Sequence, residues 1–139
     1  MTTILVPVDG SRPSMNAVQA VLDFADHQPF DRLVLLNVQV PIVRGRSFMN
    51  DGDVLAIYKA EAERAFDGAC SALEAKGVQF EVCARPGPVA ETIVLVAEEI
   101  GADHIYMGTR GYGAAVSAML GSVAGKVVSL SDLPVTLVN

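Results

Sequence analysis

Three glycines and a serine are spaced for phosphate chemistry: Gly108, two residues, Gly111, nine residues, Gly121 and then Ser122. Glycine lets a backbone come close to a ligand and adopt positive φ. The segment follows the apolar run Ile105-Tyr106-Met107 and leads into a helix-like run from Ser122. Free N–H groups in a loop and at a helix N-terminus attract phosphate. The stretch is therefore expected to cradle a phosphate chain. Arg110 lies inside it, where a guanidinium suits phosphate oxygens; the alternative is a solvated loop charge. Ser122 can cap its helix and contact phosphate at once.

Asp9 is the second residue with chemistry. It ends the first apolar run, Ile4-Leu5-Val6-Pro7-Val8, as Gly108 ends the fourth. In an open parallel sheet, ligands bind beyond the carboxyl ends of the strands, where strand order reverses. If the first and fourth strands are neighbours, Asp9 and the glycine loop share one crevice. There a carboxylate could accept hydrogen bonds from a base amine or ribose hydroxyl, or help hold Mg²⁺ through water. Taken alone, Asp9 reads as a turn residue or a helix cap.

Other chemistries do not match. Gly121 and Gly125 enclose three residues where a Walker loop needs four, and Val127 follows Lys126 where it needs Ser or Thr. A dinucleotide fingerprint needs its glycines after the first strand, where only Gly10 stands. No GxSxG elbow occurs. His27 reads as a solvent-facing helix end and His104 as a structural strand residue. Asp51 and Asp53 read as helix-start carboxylates rather than a metal site. A phosphoacceptor receiver domain would need an Asp after the third strand, where the sequence places Ala84. No catalytic residue is expected.

The elements that must position these groups follow from periodicity. Ile4–Val8 and Leu33–Val38 read as buried strands, and Ser11 or Ser14 as the cap of a helix with Pro13 in its first turn. That helix carries Ala17, Val18, Val21, Leu22 and Ala25 on one face. Residues 39–50 lack a period and read as a loop. A long helix from Asp51 or Asp53 to Lys76 ends at Gly77. Val78–Val82 alternates and reads as an edge strand. A helix from Val89 to Ile100, a strand about Ile105–Met107, a helix near Ser122–Ser131 and a strand Val135–Val138 complete the chain. Strands alternating with helices imply a parallel sheet with right-handed crossovers.

Composition bounds the rest. A chain of 139 residues fits one domain, 1–139, and about 70% of its unfolded surface can be buried. Ten basic against sixteen acidic residues give a net charge of −6. That argues against nucleic acid and anionic membrane as partners, since both need a basic patch. No apolar run reaches the ~18 residues of a membrane span. Met1-Thr2-Thr3 lacks a basic leader, and Cys70 and Cys83 form no CxxC or disulfide framework, so a cytoplasmic location is expected.

Four segments now resemble one family, in order and across essentially the whole chain. They are Ile4-Leu5-Val6-Pro7-Val8-Asp9-Gly10-Ser11, Gly87-Pro88-Val89-Ala90-Glu91-Thr92-Ile93, Ala102 through Gly111, and Leu133-Pro134-Val135-Thr136-Leu137-Val138. The chain resembles the universal stress proteins. Its glycine spacing is similar to that of their ATP-binding class, G-x2-G-x9-G-(S/T). The resemblance implies an α/β, Rossmann-like open sheet of five parallel strands in order 3-2-1-4-5, with helices on both faces. It implies that Asp9 and the backbone of Val38 face adenine, and that Pro7, Val8, Met107 and Gly108 lie near base and ribose. Arg110, Gly111, Gly121, Ser122 and Val123 would take the phosphates. It further implies ATP, with Mg²⁺, as the ligand, a homodimer through the last strand, and a stress-response regulator acting through an unknown protein partner. The alternatives are a slow ATPase or phosphotransfer enzyme, and an interaction module with an empty crevice.

Overall fold

The computed structural model describes residues 1–27, 29–40, 51–109 and 121–139, without the side chain of Asp51. Nine elements alternate along it: β1 (Thr3–Pro7), α1 (Arg12–Phe24), β2 (Arg32–Gln39), α2 (Asp51–Ala75), β3 (Glu81–Pro86), α3 (Val89–Ile100), β4 (His104–Gly108), α4 (Ser122–Leu130) and β5 (Val135–Val138). The strands form one sheet in the order β3-β2-β1-β4-β5, and every pairing is parallel. The order reverses between β1 and β4, because successive crossovers run outward from β1 toward β3 and then return over the sheet to β4.

Side-chain alternation divides the core into two layers. Leu5, Val34, Leu36 and Ile105 point toward α3 and α4, where Ile93, Val96 and Val127 meet them. Ile4, Val6, Leu33 and Leu35 point the other way, onto Val18 and Val21 of α1 and Leu73 of α2. Each central strand is apolar on both faces for this reason, as a doubly covered parallel sheet requires. Ser11 caps α1 by accepting from the Ser14 N–H, with Pro13 in the first turn. Gly77, at φ +68°, closes α2 in a left-handed conformation.

β3 departs from expectation. It runs over Glu81–Pro86, not Val78–Val82. Val78 donates its N–H back to the Leu73 carbonyl, and Val78 and Phe80 pack beneath the sheet on the α1–α2 side, so residues 78–80 are an approach rather than a rung. Pairing begins only at Val34 opposite Glu81. Glu81 holds this register by accepting from Arg32 Nε at 2.6 Å and Arg32 Nη2 at 2.9 Å. Ala84 accordingly lies inside the strand, and Gly87 follows it. The β2 strand also extends through Gln39, one residue past its expected end. Among the described residues, no helix is long and apolar enough to cross a membrane.

Candidate functional site

A cavity of about 550 Å³ opens at the carboxyl edge of the sheet, where β1 and β4 part. This volume lies within the range typical of small-molecule sites. Pro7, Val8 and Asp9 reach it from the end of β1, and Val38 from β2. Met107 and Gly108 reach it from β4, and Gly121, Ser122 and Val123 from the start of α4. The two crevice partners anticipated from sequence, Asp9 and the Gly108 turn, do share one cavity. Arg110 and Gly111 lie outside the described residues.

Further residues complete the walls: Leu36, Val40, Val89 and Ile93 add apolar surface, while Ser14 and Thr109 add hydroxyls. The sequence did signal some of these. Val89 and Ile93 sit one turn apart at the start of α3, directly after the Gly87-Pro88 turn that brings this helix to the same sheet edge. Thr109 follows Gly108. Ser14 read only as a cap; its hydroxyl in fact donates to the Ser11 carbonyl at 3.0 Å and lies 3.4 Å from the Asp9 N–H, so it braces the turn. Leu36 could not be told from any other core leucine.

The anion-binding potential of the cavity lies at α4. Gly121 occupies its N-cap position at φ −63° and ψ 155°, so the cap residue itself offers no side chain. Among the described residues, the leading N–H groups of α4 gain no acceptor from their cap where Ser122 and Val123 border the cavity, the arrangement that favours a bound anion. Gly121 does not need positive φ here; its extended dihedrals are open to any residue. α1, by contrast, has its own cap in Ser11. The flanks of residues 110–120 are tied together, since the Gly121 N–H donates to the Thr109 carbonyl at 2.7 Å. Thr109 is itself anchored to β5, its N–H donating to the Val138 carbonyl at 2.9 Å.

Asp9 is exposed and serves the turn as well as the cavity. Its Oδ1 accepts the Ser11 N–H at 2.9 Å, which fixes the carboxylate over the cavity mouth. Among the described residues no cluster of three His, Cys, Asp or Glu side chains could hold a metal ion. One carboxylate fits a Mg²⁺ that arrives on nucleotide phosphates and keeps several waters, and does not fit an all-protein cage. His104 is remote from the cavity, at the first residue of β4: its Nε2 lies 2.6 Å from Thr136 Oγ1 and its ring stacks on Tyr106 at 4.5 Å.

Comparison with known proteins agrees with this fold. The family model described as the universal stress protein family matches residues 1–139. A universal stress protein of Thermus aquaticus is 35% identical over 99% of this chain and 98% of its own. Universal stress protein Sll1654 of Synechocystis is 33% identical over 98% of this chain and 84% of its own. A solved universal stress protein in complex with cAMP superposes with a TM-score of 0.70 at 26% identity, covering 99% of this chain and 97% of that one. Fold, strand order and sequence all converge: the chain belongs to the universal stress protein family.

Proposed function

We propose that the cavity binds an adenine nucleotide, ATP with Mg²⁺, and that the protein uses its occupancy as a regulatory signal in a stress response. The carrying observation is the pairing of an apolar slot with a helix N-terminus whose cap is a glycine, in one cavity at the sheet's reversal point. A flat base suits the slot between Val38, Val89, Ile93 and Met107. Phosphates suit the start of α4, with Arg110 and Gly111 supplied by the adjoining segment. The cAMP held by a relative of the same fold supports an adenine ligand.

Asp9 then faces the base amine or the ribose hydroxyls, and Mg²⁺ rides on the phosphates. The role is binding rather than catalysis, and the output passes to a partner protein in the cytoplasm. β5 is an edge strand, paired on one side with β4 and half-buried along its length. An apolar edge of this kind calls for a cover, and a second copy of the chain pairing through Val135–Val138 supplies one.

The test is to denature the purified protein and chromatograph the supernatant for released nucleotide. Near-stoichiometric ATP upholds the proposal. If nothing is released and calorimetry with Mg-ATP shows no heat, the proposal fails and the crevice belongs to an interaction module.

A further inference from the structure

Behind the cavity wall lies a buried chain of amides. Asn37 and Gln39 are only 6% and 5% exposed. They alternate with Leu36 and Val38, so they sit on the opposite face of β2 from those cavity-lining residues, at the end of the row begun by Leu33 and Leu35. Asn37 Nδ2 donates to the Val8 carbonyl at 2.9 Å. Asn37 Oδ1 accepts from Gln39 Nε2 at 3.2 Å, and that same nitrogen donates to the Tyr58 carbonyl of α2 at 2.5 Å. Both ends of the chain are carbonyls, which only accept. The orientation of each amide is thereby fixed: Asn37 must present its NH₂ to Val8, and Gln39 must present its NH₂ to both acceptors.

The Val8 carbonyl has a particular place in the ladder. The Val8 N–H donates to the Leu36 carbonyl at 2.7 Å, continuing the parallel register that pairs Pro7 with Leu36. Residues two apart on a strand turn their backbone groups to the same side. Val38 therefore turns its N–H and C=O toward β1, and the next rung would run from the Val38 N–H to the Val8 carbonyl. Asn37 Nδ2 occupies that carbonyl instead. β1 has ended at Pro7, and the space beside Val38 is the cavity.

We propose that Asn37 is a positioning residue: by engaging the Val8 carbonyl it keeps the backbone N–H and C=O of Val38 open as the edge that reads the base, with Gln39 and Tyr58 fixing its amide. A donor beside an acceptor matches adenine, whose ring nitrogen accepts and whose amine donates, and mismatches guanine, whose corresponding groups are reversed. The inference rests on the nucleotide reading of the cavity and adds a device that sets its selectivity. The chain contains no ionisable group, so its hold is independent of pH.

The experiment is amide hydrogen exchange at Val38, followed by NMR in the free wild-type, Asn37→Leu and Gln39→Leu proteins, with AMP and GMP titrations of each. Asn37→Leu removes the donor and lets Val38 close the rung. Val38 exchange is then expected to slow by about tenfold or more, AMP affinity to fall about tenfold, and the preference for AMP over GMP to shrink. Gln39→Leu, which keeps the Asn37 donor but frees its amide, moves all three the same way by less and serves if the first variant fails to fold. A merely structural role predicts the opposite sign, faster exchange across the whole sheet. Val38 exchange that is unchanged or faster in a folded variant overturns the inference, even if wild-type protein binds AMP. A slowed Val38 in a protein that binds neither AMP nor ATP upholds the hold on the rung and overturns the nucleotide assignment.

Discussion

A side chain on Gly108 would collide with Pro13: a Cβ built there lies 2.7 Å from the Pro13 carbonyl carbon and 2.7 Å from its Cβ. The first glycine of the phosphate-like spacing is thus demanded by the packing of α1 on β4, whatever ligand lies beyond it. The first turn of α1 can approach β4 this closely only because the last residue of that strand has no side chain. The same closeness brings Ser14 beside the cavity that Gly108 lines.

Gly108→Ala should therefore destabilise the fold, not just the site. Backbone atoms of Pro13 cannot rotate away as a flexible side chain would, so α1 must shift, at a cost typical of overpacking, about 1–3 kcal/mol. Equilibrium unfolding in urea reads this directly. Wild-type stability in the variant would mean that α1 moves freely, and the packing account would be wrong.

Gly121→Val should behave differently. Gly121 is at φ −63°, so a β-branched residue meets no left-handed strain there. Valine is a poor N-cap, and the fold should lose no more than about 1 kcal/mol. Its side chain would project where phosphates approach the start of α4, and Mg-ATP affinity measured by calorimetry should fall by about tenfold or more. Unchanged affinity would remove α4 from the proposed site.

Much of this architecture could be read from residues before any coordinates. The apolar runs at Ile4–Val8 and Leu33–Val38 marked central strands because burial on both faces leaves no alternation to confuse with a helix. The β3 strand lies later than alternation predicts because Val78 and Phe80 are apolar for a different reason, namely packing under the sheet on the way from α2. Alternation does not distinguish a rung from an approach. In the site, Asp9 and Gly121 could be found from spacing, since each sits at an element boundary with a distinctive residue type. Asn37 and Gln39 could not: two amides in an apolar strand gain meaning only from the carbonyls of Val8 and Tyr58, which the fold brings from residues far away in sequence.

Asp9→Asn separates the two roles of that carboxylate. The amide oxygen can still accept the Ser11 N–H, so the turn and the α1 cap should survive with a stability change below about 1 kcal/mol. A charged acceptor toward a base amine or ribose hydroxyl is lost, and Mg-ATP affinity should fall about tenfold or more. Multiple-turnover hydrolysis assays on both proteins complete the test. Hydrolysis in the wild type that disappears in Asp9→Asn while binding persists would contradict a purely binding role.

His104 gives a pH dependence with a definite sign. Burial pushes its imidazole below the ordinary histidine value, where it bonds Thr136 and stacks on Tyr106. The folded chain therefore resists protonation that the unfolded chain accepts at about pH 6.5. This contribution is fully present above that value and is lost as pH falls through the lower folded value. Arg32, Lys126 and Arg85 hold Glu81, Glu91 and Glu99 below the ordinary carboxylate value, so their contributions persist until pH drops under about 4.3. Unfolding measured between pH 7.5 and 5.5 thus isolates the histidine range. Wild-type stability should decline over that interval, and His104→Gln should flatten the decline while keeping a polar partner for Thr136. An equally steep decline in the variant would assign the titration to another group.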